Sequence, residues 1–180
     1  MKFYKNILLP FTLYLFVSYT SANSSSFKEN QALALQGIAS AQYNLGVMYT
    51  QGQGVAQSYK KAFEWYSKAA AQGDSAAQYN LGLMYTNGQG IPQNYKKAFE
   101  WYSKAAEQGE ARAQFSLALM YDNGWGIPQN YKKAFESYSK AAAQGDAKAQ
   151  NNLAVMYAEG LGVEKNNDLA KKWFLKAKEH

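Results

Sequence analysis

Residues 74–109 read DSAAQYNLGLMYTNGQGIPQNYKKAFEWYSKAAEQG, and this stretch decides the fold. Asp74 suits the cap of a first helix, because a short acceptor side chain can take one of the N–H groups left free at a helix start. Ala77, Leu81, Met84 and Tyr85 follow at helical spacing. Asn87-Gly88-Gln89-Gly90 then ends that helix, with glycine where the chain must turn through positive φ. Pro92 bars continuation of the first helix. Asn94 caps a second helix carrying Ala98, Trp101, Tyr102, Ala105 and Ala106, and Gly109 stops it. The stretch is therefore a helix–turn–helix. Its alanines let neighbouring helices approach, and its large rings fill the space beside them.

The same reading extends outward at a step of 36 residues. Gln42, Gln78, Gln114 and Gln150 recur in register, as do Gly52/Gly54, Gly88/Gly90, Gly124/Gly126 and Gly160/Gly162. The units run 38–73, 74–109, 110–145 and 146–180. A lone helix pair leaves an apolar face open, and stacking pairs buries it. The fold expected is all-α: an α-solenoid of about four helix-turn-helix repeats. Phe27 to Gln36 aligns with the second helix of the next unit, so 23–37 reads as a polar leader and a capping half-repeat. At the other end Lys171 to Glu179 forms a lysine-rich last helix, with Trp173, Phe174 and Ala177 expected to face inward.

Residues 1–22 have a different character. Lys2 and Lys5 precede a mostly apolar run over 7–17, and Thr20-Ser21-Ala22 are small. That is the layout of a signal peptide cleaved after Ala22. The run is too short for a membrane-spanning helix, which needs about 20 residues. The chain is thus expected to be exported, to a periplasm or outside the cell, with no stable membrane span after cleavage.

Composition narrows the chemistry. There is no cysteine, which excludes disulfides, thiolate metal sites and thiol nucleophiles, and the one histidine is His180. Glu64, Glu100 and Glu136 stand four residues before Lys68, Lys104 and Lys140, the favourable order for surface pairs. They recur once per unit and do not converge as an acid and a base must. Lys60-Lys61, Lys96-Lys97, Lys132-Lys133 and Lys171-Lys172 also recur, but glutamates interleave with them and the net charge of +6 is spread along the chain. The glycine pairs lack the third glycine, the lysine and the strand of a phosphate loop. Asp122, Asn123 and Gln129 lack calcium-loop spacing. Ser67 and Ser103 each precede a lysine, yet adjacent helical residues do not face each other. No catalytic residue, metal site or cofactor follows, and no nucleic acid is expected as a partner.

In unit two, A-A-Q-Y-N-L-G-L-M-Y-T-N-G-Q-G and K-A-F-E-W-Y-S-K-A-A-E-Q-G resemble the Sel-1-like repeat family, relatives of tetratricopeptide repeats. The likeness covers about 38–180. It implies a right-handed superhelix with a concave groove, and adaptor or scaffold function, often in the bacterial envelope or in secreted proteins. Cysteine-rich relatives are described as penicillin-binding or β-lactamase-like, whereas this chain has no cysteine. It departs from the pattern at Ala118 and Ala154 (glycine in earlier units), at Ser137 (tryptophan) and at Asn151 (an aromatic).

The candidate partner surface is a stripe on the first helix of each unit: Tyr43/Val47, Tyr79/Leu83, Phe115/Leu119 and Asn151/Val155, beside Asn44, Asn80, Ser116 and Asn152. It suits either packing between repeats or a groove wall, and its mix of rings and amides suits a peptide or a folded protein. Trp125, between two glycines at a loop tip, is either folded back on its own unit or exposed as a contact anchor. The function expected is binding of another protein through the concave face, as an envelope or host-interaction adaptor or a toxin-immunity protein. The alternatives are a cell-wall glycan binder and a β-lactamase-like or penicillin-binding enzyme.

Overall fold

The computed structural model describes residues 26–179. The proposed signal peptide, most of the polar leader and His180 lie outside them. Nine helices and no strand occur among the described residues. They are α1 (26–35), α2 (Ala39–Gln51), α3 (Tyr59–Ala71), α4 (Ser75–Asn87), α5 (Tyr95–Glu107), α6 (Ala111–Asn123), α7 (Tyr131–Ala143), α8 (Ala147–Glu159) and α9 (Asn167–Ala177). Helices α2, α4, α6 and α8 are the first (A) helices of the units, and α3, α5, α7 and α9 the second (B) helices.

The boundaries follow from side-chain chemistry. Asp74 and Asp146 accept the N–H groups of Ala77 and Ala149 at 2.7 Å. Ser58, Asn94, Asn130 and Asn166 cap the B helices in the same way. Gly88 ends α4 at φ 68°, left-handed, where a Cβ would be strained. The second glycine of the later turns, Gly90, Gly126 and Gly162, has a steric reason of its own. A Cβ on Gly126 would stand 2.7 Å from the carbonyl carbon of Tyr95 in the preceding unit.

Each helix packs on its sequence neighbours, so the units form a tandem row, an all-α solenoid. Ala62, Ala69, Ala98, Ala105, Ala134 and Ala141 are wholly buried at the seams. Phe63–Tyr85, Phe99–Tyr121 and Phe135–Tyr157 meet edge-on at 5.2–5.7 Å, joining each B helix to the next A helix. Phe27–Tyr49 repeats that contact at 5.7 Å, so α1 takes the place of a B helix and is the expected half-repeat. A ladder of glutamines runs beneath. Gln42, Gln78 and Gln114 donate to the carbonyls of Ala34, Ala70 and Ala106 at 3.1–3.3 Å. Their oxygens accept from Gln72, Gln108 and Gln144 at 2.8–2.9 Å. Each of these three amides thereby ties three successive helices with both ends satisfied, whereas Gln150 donates to the carbonyl of Ala142 and its oxygen has no partner among the described residues.

Two expectations are corrected. Phe174 does not face inward: it is 38% exposed, because among the described residues no further A helix follows α9 to cover the position that Tyr66, Tyr102 and Tyr138 fill inside the row. The glutamate–lysine surface pairs do not form either. The one ion pair within 4 Å among the described residues joins Arg112 to Glu110. Lys68 and Lys104 instead lie 4.1 and 4.4 Å from the ring centroids of Trp65 and Trp101. A tryptophan three residues back offers an apolar bed for the stem and a negative face for the ammonium, whereas an exposed ion pair gains little over water.

Candidate partner-binding groove

The A helices stand in register, which brings the stripe residues of successive units side by side. Tyr43, Val47, Tyr79, Leu83, Phe115 and Leu119 are all half-buried. The rings of Tyr43, Tyr79 and Phe115 lean on those of Tyr66, Tyr102 and Tyr138 at 5.8–5.9 Å. Their inner edges thus belong to the core while part of each side chain stays open to solvent. In the last unit the stripe turns polar and open, with Asn151 exposed and Val155 43% exposed. Asn44 donates to Asn30 of α1, and Asn80 to the carbonyl of Ala76 within its own helix.

Tyr79, Leu83, Phe115 and Ser116 line a depression of about 530 Å³ together with Arg112, Asp146, Ala147 and Lys148. The two cations were not singled out in the sequence. The signal was there: positions 40, 76, 112 and 148 are equivalent, and read Ser, Ala, Arg and Lys. Arg112 donates from Nε to Glu110 at 2.8 Å and lies 4.6 Å over the ring of Tyr79. That hydrogen bond to Glu110 raises the guanidinium pKa, and burial raises that of the Tyr79 phenol.

Trp125 is outside this depression. It stacks at 5.9 Å on Tyr95 of the preceding unit, not on its own, and remains 42% exposed. Behind the stripe, burial pushes the phenols of Tyr66 and Tyr102 up to about 12, with their hydroxyls 3.3 and 3.2 Å from Thr50 and Thr86. Tyr138 is pushed up by burial first and by Asp122 next. These phenols stay protonated near neutral pH and serve as packing groups. Among the described residues no cluster of His, Asp or Glu could hold a metal ion, and no helix is long and apolar enough to cross a membrane.

The Sel1 repeat profile matches residues 39–74, 75–110, 111–146 and 147–180. The chain belongs to the Sel1 repeat family. Sel1 repeats form helical scaffolds typical of protein–protein interaction modules. A protective antigen present in uropathogenic Escherichia coli strains, with an SLR fold, is 34% identical at a TM-score of 0.86. That alignment covers 92% of this chain but 37% of the antigen, so the Sel1 chain spans little more than a third of its length. A Sel1 repeat protein from Oxalobacter formigenes is 36% identical at a TM-score of 0.79, covering 89% of this chain and 68% of that one. Cysteine-rich protein B of Helicobacter pylori is 30% identical at a TM-score of 0.54, covering 67% and 86%. No curated protein sequence matches.

Proposed function

We propose that this Sel1 chain is an exported protein–protein interaction module, an adaptor or scaffold of the cell envelope or the secreted fraction, with no catalytic step of its own. The partner lies along the concave face of the A helices. One observation carries the reading: Tyr43/Val47, Tyr79/Leu83 and Phe115/Leu119 keep solvent-open surface at the same register in the A helices of three successive units. The seams themselves are closed by other residues, chiefly alanines, leucines and the Tyr66, Tyr102 and Tyr138 rings. Contiguous half-open aromatic and aliphatic surface is the usual substance of an interface anchor. Export rests on the layout of residues 1–22.

The test is capture. The tagged chain, expressed in its native cell, is crosslinked and recovered from envelope and secreted fractions, beside a Tyr79→Ala/Leu83→Ala/Phe115→Ala variant shown to remain helical by circular dichroism. A dominant protein partner lost in the variant supports the reading. A partner retained by the folded variant, or retention on insoluble peptidoglycan alone, overturns it. The N-terminal residue of the recovered protein tests export: cleavage after Ala22 is expected.

A further inference from the structure

The depression between α4, α6 and α8 is chemically lopsided. Its floor is Tyr79, Leu83 and Phe115, and its rim carries Arg112 and Lys148 from the first turns of α6 and α8. The equivalent positions in α2 and α4 are Ser40 and Ala76, so the cationic rim belongs to the later units alone. Arg112 is held from two sides, by Glu110 at Nε and by the face of Tyr79. Its two terminal amino groups have no acceptor among the described residues, although the side chain is 53% exposed. Lys148 has no carboxylate within 4 Å among them. Asp146 also lines the depression, but one of its oxygens is committed to the N–H of Ala149 at the start of α8.

A fixed guanidinium presenting a fork of free N–H donors fits a carboxylate, and a neighbouring ammonium adds charge without demanding geometry. The apolar floor beside it requires a second group on the same ligand. In an extended chain alternate side chains face the same way, about 7 Å apart. We propose that the depression takes an extended acidic–apolar segment of the partner. A Glu or Asp side chain sits on Arg112 and Lys148, and an apolar side chain two positions away sits on Tyr79, Leu83 and Phe115. This rests on the A-helix face being the binding face, and it adds the chemistry of what binds there.

The probe is a phage-displayed random 12-residue peptide library selected on the full chain, followed by synthetic versions of the enriched peptides. Enrichment of an acidic residue two positions from an apolar one is expected. Affinity is expected to fall about tenfold or more when that acid becomes its amide, and equally with Arg112→Gln or Lys148→Gln. Peptides lost with the Tyr79→Ala/Leu83→Ala/Phe115→Ala variant but indifferent to Arg112→Gln and Lys148→Gln overturn this inference and leave the groove standing. Peptides unaffected by the alanine variant overturn both. Binding abolished by amidating the peptide's C-terminus makes the occupant a chain end and overturns the internal acid, as does a selection that enriches nothing.

Discussion

Gly82 and Tyr102 show how closely single residues are matched here. A Cβ on Gly82 would stand 2.4 Å from a ring carbon of Tyr102, whose hydroxyl is tethered to Thr86 at 3.2 Å. Gly82→Ala gains up to about 1 kcal/mol of helix propensity. It must also displace a packed ring, and a net loss of about 1–3 kcal/mol is expected in urea denaturation. Unit three carries the change naturally, with Ala118 beside Tyr138, and there Asp122 replaces the threonine and accepts from the Tyr138 hydroxyl at 3.3 Å. Gly82→Ala/Thr86→Asp is therefore expected to lose less than the sum of the single changes, and strict additivity would refute the compensation. The sequence displayed both departures, but only the shared ring connects them. The same buried phenols set an alkaline limit. Tyr66 and Tyr102 titrate at about 12 when folded and at 10 otherwise. Unfolded chains thus release protons first, and the stability of these groups is full below pH 10 and is lost as pH rises to 12. A melting temperature falling across that window is expected, with phenolate absorbance rising together with helix loss. Tyr102→Phe should flatten the fall.

At the scale of the helix, the caps separate what was legible from what was not. Asp74 and Asn94 were readable as caps because the residue type and the start of apolar periodicity coincide, and both make the bond to the N–H three residues on. Each change to alanine is expected to cost about 1 kcal/mol by urea denaturation. Glu110 occupies the equivalent place before α6 without a cap bond and turns instead to Arg112. Glu110→Ala should therefore cost less than half as much, since an exposed ion pair contributes little. An equal loss at Glu110 and Asp74 would show that charge at the helix start, not the cap bond, sets the cost. The lysines over Trp65 and Trp101 were missed for a related reason. Spacing at i, i+4 and at i, i+3 both put side chains in reach, and the choice between carboxylate and ring is made by solvation, which spacing does not encode.

The whole row was legible because its period is written in the chain: a glutamine, two paired glycines and an alanine at every 36th residue give the helices, their turns and their stacking order. The α1 half-repeat was legible by the same register. The depression was not, since the stripe residues serve core and surface together, and its cationic rim arises from what differs between units. The row also dictates how the protein opens. Helices touch mainly their sequence neighbours, so among the described residues no element contact locks one end of the row to the other. Among the described residues the inner seams are closed on both sides, whereas α1 and α9 each have a described helix on one side only. Leu33 of α1 is 36% exposed at the register where Ala69, Ala105 and Ala141 are wholly buried, and Phe174 and Leu175 of α9 are open as well. Opening should therefore start at the ends. Amide hydrogen exchange is expected fastest in α1 and α9, intermediate in α2 and α8, and slowest in α4 to α7. One common rate for all nine helices would mean that the row unfolds only as a unit, and that the glutamine and ring ladders couple units more strongly than nearest-neighbour packing requires.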